Sequence, residues 1–328
     1  MKATILLTTL FCIITMACNN PQTRQPDSWC NQKPRAQFAN LKEVPTTRAW
    51  FKVYKVGDNV WAMVEPYNYQ EVISYLIVGK EKALLFDTGM GLDTISALVK
   101  ELTSLPVVVL NSHTHYDHIG GNAEFDSILA LNTPYTIHNA QFGWAHPVVK
   151  DEVTPAAFCR EKLPQVDTAN YHIRPFNISR FIPDGYKIQL GGRELEVLAV
   201  PGHAPDAVAL LDKQNGYLFT GDTFYEGPIY LFAEGTDVKA YGQSIAKLAL
   251  LAPQLKQLYP AHNTPLAQPA QLVAVKKAFD DIMDGNVNGF DAAATAEYAF
   301  AKDAMFFAFR GFSFLIDGQQ LEAASLKK

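Results

Sequence analysis

The hydrophobic positions along the chain follow two periodicities, one typical of strands and the other typical of helices. Short runs rich in β-branched and aromatic residues, as in buried or half-buried strands, recur in both halves of the sequence. They predict strands at 51–56, 60–65, 73–79, 83–86, 107–110, 194–200, 207–212, 216–220 and 256–260, and a final strand or hairpin at 306–316. Apolar residues three and four apart predict helices at 93–103, 238–252 and 268–284. Strands mixed with helices along the whole chain favour an α/β layered fold.

The first 18 residues depart from this pattern. Lys2 precedes a short apolar stretch, and the small residue Ala17 precedes Cys18, which is typical of a signal peptide too short to span a bilayer. The junction resembles a bacterial lipoprotein signal, although Thr15 stands where such signals usually carry Leu. Lipidation of Cys18 is the favoured alternative, and simple cleavage is the other. The sequence therefore predicts an exported protein, periplasmic or an outer-membrane lipoprotein of a bacterium, whose only membrane contact is Cys18.

The rest of the chain divides into a tether and a domain. Residues 19–48 are rich in Pro, Asn, Gln, Arg and Thr, which indicates a flexible tether. Residues 49–328 form the predicted domain, with a helical or loop insertion near 139–182. Cys30 and Cys159 can pair in an oxidising compartment. The alternative is a buried Cys159 thiol with Cys30 in the tether, and the sequence leaves both open.

Charge narrows the choice of partner. The chain has 28 Lys and Arg against 33 Asp and Glu, a formal net charge of −5. Without a basic surplus, a nucleic-acid backbone is a poor partner. A small-molecule substrate is the expected partner, and the oligomeric state is left open.

Seven possible metal ligands follow apolar strands. Four fall within six positions after the strand at 107–110: His113, His115, Asp117 and His118. Alternate residues of a strand share a face, and a turn at Gly120 and Gly121 brings the last two ligands round. Three more stand singly after later strands: His203, Asp222 and His262. Because ligands gather at the strand ends of α/β sheets, all seven are expected at one edge.

This ordered set resembles the signature of the metallo-β-lactamase-fold hydrolase superfamily, His-x-His-x-Asp-His followed by a later His, Asp and His. The resemblance runs from about residue 50 to the C-terminus and fills all seven positions. The other histidines match no position: His138, His146 and His172. The resemblance implies a four-layer αβ/βα sandwich with the metal site at one edge of its two sheets.

Carried over residue by residue, the resemblance implies two Zn²⁺ ions, or another divalent metal, each held by three residues and bridged by Asp222. The first ion would take His113, His115 and His203, and the second Asp117, His118 and His262. Asp117 is also a candidate catalytic residue that moves a proton. Asp87, after the strand at 83–86, is expected to accept a hydrogen bond from a metal-bound histidine. A plain cap of the strand end is its alternative.

The implied reaction is hydrolysis, in which a metal-bound hydroxide attacks a carbonyl carbon. Asp222 stands where most β-lactamases of the superfamily place Cys or Ser, so the chain is more similar to glyoxalase-II-like thioesterases and lactonases. Its Phe-rich end differs from the helical glutathione-binding region of glyoxalase II. The expected substrate is therefore an ester or lactone, with a thioester possible. β-Lactam hydrolysis is the main alternative. Two lesser alternatives are a mono-iron persulfide oxygenase and a non-catalytic metal-binding lipoprotein.

Four tyrosines near the expected site are candidate substrate contacts. Tyr67 and Tyr69 lie in a loop before the strand at 73–79, and Tyr225 and Tyr230 follow Asp222. Each can contact substrate, and a hydroxyl near Asp222 can donate to a developing oxyanion. Surface exposure or core packing explains the same residues equally well.

Overall fold

The computed structural model describes residues 29–32, 35–159, 164, 166–295 and 297–325. Contacts divide the chain into a short unit, Met1–Lys33, and a large unit, Pro34–Lys328. The predicted signal peptide with Cys18 lies outside the described residues, as does much of the tether. Within the part of the chain that is described, no helix is long and apolar enough to cross a membrane.

The large unit contains three sheets and helices between their strands. In chain order the strands are β1 Glu43–Val44, β2 Lys52–Gly57, β3 Val60–Val64, β4 Ile73–Val78, β5 Ala83–Phe86, β6 Val107–Leu110, β7 Ile128–Leu131, β8 Arg180–Ile182, β9 Lys187–Gln189, β10 Glu194–Ala199, β11 Val208–Asp212, β12 Tyr217–Gly221, β13 Pro228–Leu231, β14 Gln257–Pro260, β15 Phe290–Asp291, β16 Ala304–Phe309 and β17 Phe312–Asp317. The α-helices are α1 Ile95–Leu102, α2 Tyr116–Ile119, α3 Pro134–Phe142, α4 His146–Val149, α5 Val238–Ala249, α6 Ala270–Met283 and α7 Gly318–Ser325.

Strands β1 to β8 form the first sheet in sequence order. The first five strands pair antiparallel, and β5 to β8 pair parallel. The second sheet has the order β14-β12-β11-β10-β9, and the third has the order β13-β17-β16-β15. Because β1 pairs with β2, the sheet begins at Glu43, ahead of the expected domain start at residue 49.

Three apolar clusters hold the layers together. Leu98 of α1 and Leu85 of β5 belong to the cluster on the outer face of the first sheet. Phe86 and Phe219, whose ring centroids lie 6.0 Å apart, belong to the cluster between the first and second sheets. Helices α5 and α6 pack against the other face of the second sheet, and Ile245 of α5 belongs to the cluster between them. The layers are therefore helix, sheet, sheet and helix, and the strands between them are buried on both faces.

The Phe-rich end forms the predicted hairpin, β16 and β17, which pairs with β13 to make the third sheet. Side chains alternate across a strand, and the burial follows that alternation. Ile229 and Phe314 point into the cluster with α5 and α6. Tyr230 and Leu315 point to the opposite face, where they contact the segment at 292–301.

The insertion connects β7 to β8 and contains α3, α4 and several short 3₁₀ turns. In the described residues of this insertion, the regular elements are short. Its Cys159 is buried. Cys30 and Cys159 are each disulfide-bonded, so neither is the free thiol of the alternative interpretation.

Strand direction brings the predicted ligands to one edge of the sheets. Parallel strands β5 and β6 end at Asp87 and the loop that begins with Asn111. In the second sheet β11 runs antiparallel to both β10 and β12, and β12 is parallel to β14. The ends of β10, β12 and β14 therefore face the same way, and they lead to His203, Asp222 and His262.

Candidate metal centre

Three histidines form the first ligand group, which we call the nitrogen group: His113, His115 and His203. His113 Nε2 lies 2.8 Å from His115 Nδ1 and 3.2 Å from His203 Nε2. His203 Nε2 lies 3.0 Å from His115 Nδ1. Each histidine thus turns one ring nitrogen toward a common centre.

The second group, which we call the mixed group, consists of Asp117, His118 and His262. His118 Nε2 lies 3.3 Å from His262 Nε2 and 3.4 Å from an Asp117 carboxylate oxygen. That oxygen lies 3.5 Å from His262 Nε2. The three atoms form a triangle of nearly equal sides.

Asp222 lies between the two groups. Its Oδ2 is 3.2 Å from His262 Nε2 and 3.5 Å from His203 Nε2, and its Oδ1 is 3.5 Å from His118 Nε2. The residue follows Gly221, whose φ of +51° and close approach to Ser112 leave no room for a side chain. The structure thus brings together all seven residues that the sequence predicts, in the predicted grouping.

The chemistry of these donors fits metal ions. Nδ1 of His203 and of His262 lies 2.7 and 2.6 Å from the carbonyl oxygens of Tyr230 and Gln70. A carbonyl only accepts, so each Nδ1 carries the hydrogen and each Nε2 turns a lone pair to the centre. Asp222 Oδ1 is buried and accepts no hydrogen bond. Converging lone pairs and a buried carboxylate oxygen are stabilised by a cation.

The spacing of the donors also fits. Ligands about 2.0–2.1 Å from a tetrahedral zinc ion stand about 3.4 Å apart. The donor atoms of the mixed group are 3.3–3.5 Å apart, and those of the nitrogen group 2.8–3.2 Å apart. Both triangles are thus close to the size that one cation needs.

Burial and charge shift the pKa values of the two groups in opposite directions. Burial lowers the pKa of His113 and His115 well below the usual range, and neighbouring histidines lower it further. Burial alone would also lower the pKa of His118, but the charges of Asp117, Asp222 and Asp87 raise it. The mixed group is therefore rich in negative charge and the nitrogen group is not.

Asp87 is placed where the sequence predicts. Its Oδ2 lies 3.0 Å from Nδ1 of His118, and its Oδ1 accepts the Ser112 backbone N–H at 2.6 Å. The side chain is completely buried, and its φ of +67° lies in the left-handed region that Asp tolerates. Asp87 therefore orients His118 and joins β5 to the ligand loop.

Gly120 is needed for a different reason from the one the sequence suggests. Its backbone is helical, with φ −57°. A Cβ there would lie 2.1 Å from the carbonyl carbon of Met90. Close approach of two chain segments, rather than an unusual turn, thus requires glycine.

A polar cluster around Glu152 was not predicted. Glu152 accepts hydrogen bonds from the hydroxyls of Tyr69 at 2.6 Å and Tyr116 at 2.8 Å, and from the Gln70 amide at 3.0 Å. Burial raises the pKa of Glu152, and these hydrogen bonds oppose the rise. Because the Gln70 carbonyl accepts from His262, the cluster links the insertion to the mixed group. The position of Tyr116 inside the ligand motif is the one signal that the sequence offers.

The candidate substrate tyrosines have different surroundings. Tyr67 packs against Trp50, with ring centroids 5.7 Å apart. Tyr225 is buried with its ring 5.0 Å from that of His262, and its hydroxyl donates to the Pro228 carbonyl. The Tyr225 hydroxyl therefore donates its hydrogen to a backbone carbonyl.

Glu65 is a buried carboxyl group that the sequence also did not predict. It accepts the Trp50 indole N–H at 2.7 Å and the Met90 backbone N–H at 2.9 Å. Burial raises the pKa of Glu65 to about 7, against the two hydrogen bonds, and the charge of Asp117 adds to the rise. The sequence shows only a polar residue after β3, which gives no sign of burial.

An α/β sandwich with histidine and aspartate side chains gathered at one strand edge defines a metal-dependent hydrolase. The family model described as the metallo-beta-lactamase superfamily matches residues 71–263, and this chain belongs to that superfamily. The predicted four-layer αβ/βα sandwich is thereby confirmed. Divalent metal binding is a property of the superfamily, and the clustered side chains supply the donors for it.

Three comparisons describe its relatives. An acyl-coenzyme A thioesterase of Gallus gallus is 23% identical over 65% of this chain and 80% of its own length. A hydroxyacylglutathione hydrolase of Photobacterium profundum is 30% identical over 55% of this chain and 56% of its own length. A solved metallo-beta-lactamase from Pontibacter korlensis has a TM-score of 0.50 at 21% identity and covers 70% of this chain and 99% of its own. The solved structure shows the shared fold.

Proposed function

We propose that this protein hydrolyses carboxylic acyl compounds, namely esters, lactones and thioesters, with two divalent cations, zinc in the first place. The observation that carries the proposal is the pair of ligand groups with Asp222 between them. Asp222 is within 3.5 Å of histidine nitrogens from both groups. The two relatives named as a thioesterase and a hydroxyacylglutathione hydrolase support acyl substrates.

Bound cations would lower the pKa of a coordinated water toward neutrality and polarise the substrate carbonyl. The chain's own residues prepare the site for this. The Tyr230 and Gln70 carbonyls fix the ring orientation of His203 and His262, and Asp87 fixes that of His118. Such supports keep the donor atoms directed at the cations during the reaction.

Asp117 is the residue we propose to move a proton. It is buried, and its carboxylate lies within 3.5 Å of two histidine nitrogens of the mixed group. A carboxylate beside the reacting centre can accept a proton from water and return it to the leaving group.

The test is steady-state hydrolysis by the full chain loaded with zinc. The substrates are an acyl thioester, a chromogenic carboxylic ester, a lactone and a chromogenic cephalosporin. Turnover of the first three that is lost on chelation and restored by zinc supports the proposal. Turnover of the cephalosporin alone would overturn it and assign β-lactam hydrolysis.

Metal content provides an independent check. After dialysis, the wild-type chain is expected to retain about two zinc ions, as the two ligand groups require. A His172→Ala variant is the matched control, because His172 is exposed and belongs to neither group. One bound iron per chain, with no hydrolysis, would favour the oxygenase alternative instead.

We also propose that the protein is exported and lipidated at Cys18. The support is the Ala17-Cys18 junction after a short apolar stretch. Mass spectrometry of the mature N-terminus, from a bacterial host, is expected to find a lipid-modified Cys18. An unmodified mature N-terminus would leave simple cleavage as the answer.

A further inference from the structure

The third sheet carries an aromatic surface that the metal chemistry does not use. We call Tyr230, Phe232, Tyr298 and Phe300 the aromatic wall. Phe300 is 56% exposed, and its ring centroid lies 6.0 Å from Tyr230, 6.2 Å from Phe232 and 6.4 Å from Tyr298. The other three side chains are half-buried beside it, so the four rings form one partly exposed aromatic patch. Such patches mark binding sites more often than isolated apolar residues do.

The aromatic wall is directly connected to the nitrogen group. The Tyr230 carbonyl oxygen lies 2.7 Å from His203 Nδ1. Alternation along β13 turns Ile229 and Leu231 into the core, so Tyr230 and Phe232 point to the opposite face. Residues of one strand thus orient a candidate ligand through the backbone and build the wall with their side chains.

Tyr230 lies close enough to the ligands to be affected by their charge. Burial raises the pKa of its hydroxyl, and Tyr298, Glu152 and Asp117 raise it further. Tyr298 belongs to the wall, whereas Asp117 belongs to the mixed group. The Glu152 cluster contains the hydroxyls of Tyr69 and Tyr116 and the Gln70 amide. Tyr230 therefore belongs both to the aromatic wall and to the surroundings of the ligands.

We propose that the aromatic wall binds the apolar acyl chain of the substrate while the carbonyl lies at the two ligand groups. The inference rests on the proposed function and names its substrate class, thioesters and esters of medium-chain or aryl carboxylic acids. An acyl chain on the wall covers Phe300 and removes apolar surface from water. Short acyl groups such as acetyl do not reach it, so the wall selects by chain length.

The experiment compares acetyl and octanoyl thioesters of one small thiol, with thiol release measured for the full zinc-loaded chain. The wild type is expected to show a kcat/KM for octanoyl about 10-fold or more above that for acetyl, since each methylene adds to discrimination in an apolar site. Phe300→Ala is expected to reduce that ratio severalfold. Phe300→Leu, which keeps an apolar side chain, is expected to restore most of it.

Phe181→Ala is the matched control, because Phe181 is 43% exposed on the edge strand of the first sheet and belongs to no part of the wall. It is expected to keep the wild-type ratio. A ratio unchanged in Phe300→Ala, with both thioesters hydrolysed, would overturn the aromatic wall but leave the proposed function intact. No turnover of either thioester by the wild type would overturn the proposed function itself.

Discussion

The two ligand groups are built alike but differ in charge. Each takes two residues from the segment after β6, which includes α2, and one that follows a strand of the second sheet. The nitrogen group has three imidazoles whose pKa values burial lowers. The mixed group contains Asp117, and its His118 lies 3.0 Å from the carboxylate of the completely buried Asp87. The segment after β6 thus contributes residues both to a neutral site and to a negatively charged site.

In the proposed two-cation site, this difference would give the two cations different tasks. Imidazole donors alone leave most of the positive charge of a cation in place, which suits polarisation of a carbonyl oxygen. Carboxylates offset that charge and favour a cation that holds a nucleophile or a leaving group. Asp222 lies within reach of both groups, so it couples them.

The largest expected effect comes from removing that coupling. Asp222→Ala is expected to weaken both cations and to lower kcat on the order of 100-fold or more, since even indirect supports of a ligand cost about 10–100-fold. Metal content after dialysis and the kcat of the proposed substrate measure it. Far-UV circular dichroism checks that the variant is folded. Near-wild-type turnover with two bound cations would refute the bridging role.

A pair of single-ligand variants separates the two groups. His203→Ala is expected to weaken the nitrogen group, and His262→Ala the mixed group, with about one tightly bound cation left in each. Because the mixed group keeps its carboxylate attraction, the cation left in His203→Ala is expected to bind more tightly. His172→Ala serves again as control. Loss of both cations from either variant would show that the groups cannot be filled independently.

The sequence predicted the ligand positions because they depend on local patterns. Four of the seven residues fall within six positions, and each of the others lies within four residues of the end of an apolar strand. Strand ends of one direction share an edge, so local position was enough to place them together. The structure shows this for His203, Asp222 and His262, whose strands β10, β12 and β14 run the same way.

The rest of the site depends on contacts between distant segments, which no local pattern encodes. Glu152 bonds to Tyr69 across 83 positions, from an insertion without regular periodicity. Phe300 reaches Tyr230 because β13 pairs with β17, a long-range pairing. Strand β13 was also not predicted, and its neighbour in the sheet, β17, lies more than 80 positions away in the sequence. The surroundings of the ligands therefore depend on tertiary packing, whereas the ligand positions follow from local sequence patterns.

A substitution at Asp87 tests the mixed group separately, because the Asp87 carboxylate contacts His118 of that group. In Asp87→Asn the new amide keeps an acceptor for the Ser112 N–H and tolerates the left-handed backbone. Its NH₂ would then face the N–H of His118, which disturbs the orientation of that ring. We expect about a 10–100-fold loss of affinity for one cation and little change for the other. Isothermal titration of the metal-free protein measures both, and equal weakening of the two would contradict the separation.

The last expected effect is on stability rather than on metal binding, and it concerns Glu65. The pKa of Glu65 is raised from 4.5 to about 7, partly by the charge of Asp117 from the mixed group. The folded protein therefore holds a proton that the unfolded chain releases. The stability from this proton is complete below pH 4.5 and is lost as the pH rises through about 7. The shift corresponds to about 3 kcal/mol of unfolding free energy.

Glu65→Gln separates this contribution from other titrations, because glutamine does not ionise. The variant loses one acceptor for the Trp50 or Met90 N–H, a cost that does not change with pH. Urea unfolding of the metal-free proteins at pH 5 and pH 8 is expected to show the wild type losing more stability than the variant over this range. Equal losses would mean that Glu65 stays ionised in the folded state. A smaller difference after zinc addition would show that cations offset the negative charge of the mixed group as far as Glu65.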